Sequence, residues 1–206
     1  MKRLGVPGAL AVAVGVRAVH GCNPAGYAEL LGVSYKPPVQ LSPKELAARL
    51  DRILESAARL LSLVPDDKMS WSPPERQRTL RQLGFHVFRL SLAFVDAMDR
   101  GELPKAWLGE VAPVELADGR GIARYGELVR ARVAGWFDGA AAAEFDRVVD
   151  VYYGPQGAHD LLERTTWHAA QHLRQLYALA ERIGVAPREP LPVDQFQGLP
   201  LPDSLW

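Results

Sequence analysis

Two histidines in the C-terminal third of the sequence, His168 and His172, are the residues best suited to carry chemistry. Their spacing of four residues places both imidazoles on one face of an α-helix, one turn apart. Leu and Ala recur around them at helical spacing, and Gly184 followed by Pro187 predicts the helix end. Two neutral imidazoles arranged in this way can bind one transition metal from the same side.

A catalytic metal site usually has three protein ligands and an open position, so the pair needs a third ligand. The chain has five histidines. His86 lies in an apolar helical stretch, where a buried imidazole requires a partner, whereas His20 and His159 occupy turn-like contexts. His86 is therefore the candidate third ligand. The alternative is that His86 hydrogen-bonds a neighbour and that the other two histidines are ordinary surface residues.

Gln175 and Arg164 are the candidate catalytic residues near the histidine pair. Gln175 follows His172 by three residues and shares its helix face, so it could orient bound solvent or simply be a surface amide. Arg164 precedes His168 by one turn and could hold a substrate anion or pair with a surface carboxylate. Trp167 is expected to point away from the histidine face and to pack.

Capping boxes predict the start of two of the helices that must position these residues. Ser42 is followed three residues later by Glu45, and Ser72 by Glu75, each with Pro in the first helical turn. Apolar residues continue at helical spacing behind both boxes. The predicted helices span about 42–64, 72–101 and 122–136, with a last helix around the histidine pair that ends before Gly184.

The remaining segments complete a predicted four-helix bundle, a mainly α fold that builds metal sites from facing helices. Residues 101–119 are too long for a tight helical hairpin and could cross to the other end of the bundle. The third helix is expected to turn its apolar residues inward, namely Leu128, Val129, Val133 and Trp136. Residues 145–153 are β-prone, and periodicity leaves a strand and a fourth short helix both open.

The N-terminal segment predicts a small β-hairpin followed by a short helix. Residues 10–14 and 16–19 alternate small and branched side chains around a glycine turn. Asn23 can cap a helix that begins with Pro24 and is closed by Gly32.

Charge and cysteine content restrict the class of protein. Lys+Arg and Asp+Glu number 24 each, and no basic run is present, so nucleic acid is not an expected partner. The single cysteine, Cys22, excludes an intramolecular disulfide and fits a reducing cytoplasm. Lys2 and Arg3 precede an apolar run that imitates a secretory signal, but Pro7 breaks it early. No stretch suits a membrane span, so we expect a cytoplasmic protein without a membrane partner.

With one histidine on the second long helix and a His-x-x-x-His pair on the fourth, residues 42–184 resemble the DinB-like family of metal-binding four-helix bundles. The long crossover of that family corresponds to residues 101–119. The resemblance implies that His86, His168 and His172 bind a divalent ion, Zn or Ni. Members of the family include thiol-dependent isomerases and S-transferases, so a small-molecule substrate and a low-molecular-weight thiol are the implied partners.

The first 33 residues resemble the C-terminal half of a glutaredoxin, through Val6-Pro7, the strand pair and Gly21-x-Asn23-Pro24. The redox cysteine pair of that family has no counterpart, so the segment cannot be a working glutaredoxin. We interpret Cys22 as an ordinary small residue. The chain thus resembles a glutaredoxin–DinB fusion with a truncated redox half, whose open strand edges favour a homodimer.

The predicted organisation is a truncated glutaredoxin-like segment (1–33), a linker (34–41), the bundle (42–184) and an extended Pro-rich tail (185–206) that could anchor Trp206 in a groove. The leading hypothesis is a metal-dependent transferase, isomerase or hydrolase that acts on small thiol conjugates. One alternative is a non-catalytic metal-binding or stress-response module with a structural metal. The other is a metal-free interaction bundle, which predicts ring nitrogens more than about 4–5 Å apart.

Overall fold

The computed structural model describes residues 11–20 and 23–206. Val6-Pro7, Gly21 and Cys22, on which parts of the N-terminal interpretation depend, lie outside the described residues. The helices are α1 (Pro24–Leu31), α2 (Pro43–Leu61), α3 (Leu80–Arg100), α4 (Lys105–Leu108), α5 (Gly119–Gly139) and α6 (Ala158–Arg182). The strands are β1 (Ala11–Val14), β2 (Arg17–His20), β3 (Glu102–Leu103), β4 (Val148–Val151) and β5 (Gly154–Gly157).

The four long helices form a bundle, which confirms the predicted mainly α fold class. α2 and α3 each pack against both α5 and α6, so these two consecutive helices lie across the bundle from each other. α3 and α6 are direct neighbours, and these are the helices that carry the three candidate histidines. Within the described ranges, no helix is both long and apolar enough to cross a membrane.

The N-terminal hairpin and short helix form as their turn and cap residues predict. β1 and β2 pair antiparallel around Gly15, whose φ of 62° favours glycine. The side chain of Asn23 accepts a hydrogen bond from the N–H of Gly26 at 2.8 Å, and Pro24 begins α1. Gly32 ends the helix in the left-handed conformation.

The capping residue is predicted correctly for α2 and wrongly for α3. The hydroxyl of Ser42 accepts from the N–H of Glu45, whose carboxylate accepts in return from the N–H of Ser42. α3 begins at Leu80 instead of near Ser72, and the hydroxyl of Thr79 caps it. The predicted box at Ser72 fails because the preceding chain folds back and supplies its own acceptors. The carbonyls of residues 69 and 71 accept the first free N–H groups of α3.

α5 is longer than the predicted 122–136 at both ends, and its inward face differs in one position. Asp118 caps it by accepting from the N–H of Gly121 at 2.6 Å. The prediction that Leu128 faces inward is wrong, because its side chain is 72% exposed. Val129, about 100° further round the helix, is buried, so the core stripe passes beside Leu128.

A three-stranded sheet contains part of the segment 145–153, for which the sequence left a strand and a short helix both open. Residues 148–151 of this segment form β4, as the strand interpretation predicts, and residues 145 and 146 end a short 3₁₀-helix, Ala142–Asp146. Residues 154–157 form β5 antiparallel to β4, and β3 pairs parallel with β4. The sheet joins the 101–119 connection to the start of α6 and brings Tyr152 and Tyr153 beside that helix.

The tail after α6 is held against the bundle through its backbone carbonyls. Gly184, with a φ of 78°, follows the end of the helix as predicted. Arg49 on α2 donates from Nη1 to the carbonyls of Asp194, Gln195 and Gln197. The tail contains one turn of 3₁₀-helix at Val193–Phe196, and its last residues, 202–206, lie along α6.

Candidate metal centre

Three imidazoles from two neighbouring helices meet inside the bundle. One ring nitrogen from each of His86, His168 and His172 lies within 4.8 Å of the other two. The ring of His172 is centred 5.1 Å from that of His86 and 4.5 Å from that of His168. Two metal–nitrogen bonds of about 2.1 Å span at most about 4.2 Å, so ring movements below an ångström would let all three share one ion. The wide separation that a metal-free bundle predicts is not observed.

The centre is buried enough to keep its imidazoles neutral. His86 and His172 are 7% and 6% exposed, and His168 is half-buried. Burial, followed by the nearby His172 and Arg78, lowers the pKa of His86 to about 3. Burial lowers the pKa of His172 to about 4, against the opposing effect of the hydrogen bond that His172 donates to Gln175, and burial also holds the pKa of His168 well below its usual value. At neutral pH all three rings are therefore uncharged and can offer lone pairs.

One hydrogen bond selects the tautomer of His172. Its Nδ1 lies 2.7 Å from Oε1 of Gln175. The amide orientation of Gln175 follows from its other contact, because Nε2 donates to the carbonyl of Leu205 at 2.7 Å. An amide oxygen can only accept, so Nδ1 of His172 carries the proton and Nε2 carries the lone pair.

The free lone pair of His172 fits a metal ligand. Its Nε2 is buried and has no hydrogen-bond partner among the described residues. A buried polar atom without a partner is unfavourable in a folded protein. Metal-ligating histidines commonly donate their other ring nitrogen to a fixed acceptor, as His172 does to Gln175. The donor set is therefore suited to one divalent cation.

Gln175 is a buried hydrogen-bond partner of His172, a role that the sequence does not predict. It is 4% exposed, so the surface-amide alternative is wrong, and its oxygen accepts from His172. Its neighbour Gln171 donates from Nε2 to the carbonyls of Ser204 and Leu205, which hold the tail at this position. No sequence signal marks these contacts, since backbone carbonyls about 30 residues away carry no side-chain pattern.

Arg164 lies one turn before His168, as expected, but it does not pair with a surface carboxylate. Among the described residues, no acidic group lies within 4.0 Å of its guanidinium. Its Nη2 donates to the hydroxyl of Tyr152 at 3.2 Å, and the ring of Tyr153 lies 4.5 Å from its guanidinium carbon. Trp167, the residue before His168, packs partly against the core as predicted.

Two further polar residues, His159 and Arg89, have partners outside the centre. His159 hydrogen-bonds the carbonyl of Leu41 at 2.8 Å through Nε2. Arg89, three residues after His86, forms ion pairs with Glu110 and Asp96 and fastens the 101–119 connection to α3. The described part of the chain brings together the three predicted histidines and leaves His159 apart from them.

The bundle and its buried imidazoles define a class of helical protein with a three-histidine site between neighbouring helices. The sequence model of the DinB superfamily matches residues 33–176, which is more than half of the chain. The chain therefore belongs to the DinB superfamily. The match begins at residue 33, so the glutaredoxin-like interpretation of the preceding segment stays a prediction.

Two solved structures share the fold. A DinB-like protein of Bacillus subtilis, YjoA, is 17% identical with a TM-score of 0.55, over 71% of this chain and 94% of that one. YfiT of Bacillus subtilis, described as a probable metal-dependent hydrolase with an unusual four-helix bundle topology, is 19% identical with a TM-score of 0.54, over 75% and 96% of the two chains. At these identities the likeness shows the fold alone. No curated protein matches the sequence significantly.

Proposed function

We propose that this member of the DinB superfamily is a metal-dependent enzyme whose divalent ion is held by His86, His168 and His172. The observation that carries the proposal is the buried, unpartnered Nε2 of His172 within a cluster of ring nitrogens less than 5 Å apart. The description of YfiT as a probable metal-dependent hydrolase supports it, as a protein of the same fold.

A divalent ion held by three imidazoles keeps a coordination position open, where it lowers the pKa of bound water or a thiol or polarises a carbonyl. The surrounding residues control the charge and the tautomer of the histidines. Burial keeps the rings neutral and therefore able to bind a cation. Gln175 holds the proton of His172 at Nδ1, so that Nε2 faces no competing proton. His168 is the least buried of the three and marks the side from which a small substrate would approach.

We extend the proposal to hydrolysis, isomerisation or transfer of a group carried by a small thiol conjugate. The support for the thiol is the family resemblance of residues 42–184 together with that of the first 33 residues. Imidazole ligands do not distinguish Zn from Ni, and both are candidates. We also propose that the protein acts in the cytoplasm, as a homodimer.

The alternative is a non-catalytic module whose metal is structural, and the low exposure of His86 and His172 favours it. A structural ion would be closed to solvent, and its removal would unfold the bundle. A catalytic ion would leave the apolar core of the bundle intact when removed. Circular dichroism before and after chelation distinguishes these two functions.

Metal analysis of protein purified without a His tag tests the proposal. We expect close to one equivalent of a divalent metal, and a loss of most of it in His168→Ala and in His172→Ala. His159→Ala is the matched control, because His159 lies outside the cluster and contacts Leu41. Less than about 0.2 equivalents, unchanged by His168→Ala, would contradict the proposal.

A further inference from the structure

Arg164 carries a positive charge that no acidic group of the described residues approaches within 4.0 Å. Its Nη1 is buried and has no hydrogen-bond partner among the described residues. Nη2 is taken by the Tyr152 hydroxyl, and the rings of Tyr152 and Tyr153 lie 5.8 and 4.5 Å from the guanidinium carbon. Guanidinium groups stay protonated, so a full positive charge is held here by neutral partners only.

A partly buried guanidinium without an anion beside it is energetically unfavourable. A charge removed from water requires an opposite charge or enough hydrogen bonds to replace its hydration. Asp160 and Glu163 are near in sequence, but both accept from Nε2 of Gln40, at 2.8 and 3.2 Å. The free edge of the Arg164 guanidinium is therefore available to an anion from outside the chain.

A small cavity joins Arg164 to the candidate metal centre. It measures about 30 Å³ and has both Arg164 and His168 in its wall. At about 10–15 Å³ per water, it holds roughly two waters, close to the space of one carboxylate group. The other wall residues are mainly apolar: Leu90, Phe94, Leu103, Leu108 and Leu161. Thr165, the remaining polar wall residue, donates its hydroxyl proton to the carbonyl of Leu161.

We propose that Arg164 binds a carboxylate of the substrate in this cavity, next to the atoms that react at the three histidines. The planar edge of a guanidinium matches the two oxygens of a carboxylate. The small volume of the cavity favours a carboxylate over the larger phosphate group. The link to the reacting atoms rests on the proposed function, whereas the anion site itself depends only on Arg164 and its surroundings.

The first experiment measures thermal unfolding of the full chain, as purified, in acetate, phosphate and chloride at equal ionic strength. We expect acetate at tenfold its dissociation constant to raise the unfolding temperature by about 3 °C over chloride. The rise should disappear in Arg164→Gln and persist in part in Arg164→Lys, which keeps the charge. Arg182→Gln is the matched control, because Arg182 lies on the same helix and already pairs with Glu75 at 3.0 Å.

The second experiment uses cobalt-substituted protein and follows thiol binding by the change in the cobalt absorption spectrum. Mercaptoacetate and 2-mercaptoethanol differ in the carboxylate and share the thiol. We expect mercaptoacetate to bind at least about tenfold tighter to the parent protein. The preference should be lost in Arg164→Gln, while the affinity for 2-mercaptoethanol stays the same.

The outcomes separate this inference from the proposed function. Metal analysis that finds no metal, together with an acetate effect that needs Arg164, supports the anion site and overturns the metal centre. Bound metal with no acetate effect, or with an effect that Arg164→Gln leaves intact, overturns the anion site alone. Stabilisation by phosphate without stabilisation by acetate overturns the carboxylate assignment.

Discussion

The ring of His172 is oriented by a relay that starts in the tail. The carbonyl of Leu205 accepts from Gln175, and the amide oxygen of Gln175 accepts from Nδ1 of His172. Each contact measures 2.7 Å, so both are well-formed hydrogen bonds. The relay determines which nitrogen of His172 can bind a metal, although neither Gln175 nor Leu205 would touch the ion.

Replacing Gln175 tests this relay at the scale of one residue. Gln175→Leu removes the acceptor, so we expect metal affinity to fall by about 10- to 100-fold, as for other residues that orient a ligand. Competition with a chromophoric chelator measures the change. Gln175→Glu keeps an acceptor and should lose much less. Gln171→Leu removes contacts to the same tail carbonyls without a contact to His172, so an equal loss in that variant would contradict the relay.

At the scale of elements, the close approach of α3 to α5 requires a residue without a side chain, Gly126, at the point of contact. A Cβ built on Gly126 of α5 would lie 2.4 to 2.7 Å from ring atoms of Phe88, which is fully buried on α3. Phe88 is two residues after His86 on α3, so this contact helps to fix the position of His86 within the bundle. The ring of Tyr125, the residue before Gly126, also packs against Phe88, with 6.4 Å between the two ring centres.

Two glycines of α5 provide a matched pair of substitutions. Gly126→Ala should destabilise the protein by about 1–3 kcal/mol, because the ring of Phe88 must move in a close-packed core. Gly135 lies on the exposed side of the same helix, and no atom lies within 4 Å of its Cβ position. Gly135→Ala should therefore stabilise the protein by about 0.5–1 kcal/mol through helix propensity. Urea unfolding measures both, and a Gly126→Ala protein as stable as the parent would contradict the packing argument.

At the scale of the whole molecule, the three imidazoles make folding sensitive to acid. The pKa values of His86 and His172 in the folded protein, about 3 and about 4, lie below the ordinary value of 6.5. Protonation therefore favours the unfolded chain. The stability that the neutral rings permit is complete above pH 6.5 and is lost as the pH falls towards the folded pKa values.

Unfolding of metal-free protein as a function of pH checks this prediction. Between about pH 6 and pH 4.5, each of these two rings should lower the free energy of unfolding by about 1 kcal/mol per pH unit. His86→Gln should reduce the slope, because it removes one titrating group. A stability that stays constant over this range would show that the rings are protonated in the folded state.

Several features follow from local sequence alone, since the physical cause lies within a few residues. The four-residue spacing of His168 and His172 places them on one face, and the caps at Ser42 and Asn23 determine where two helices begin. The failure at Ser72 has the opposite origin. There the carbonyls of residues 69 and 71 accept the first N–H groups of a helix that begins later, at Leu80, and these bonds depend on how the chain folds back.

The sequence by itself determined that four long helices form, where α2 begins and which histidines are candidates, because periodicity and capping act between neighbours along the chain. Only the tertiary structure decided that α3 lies beside α6, so that His86 meets the other two rings. It also decided that the tail reaches Gln175 and that Arg164 has no acidic partner among the described residues. These features depend on residues far apart in sequence, which only the packing of the helices and the tail brings together.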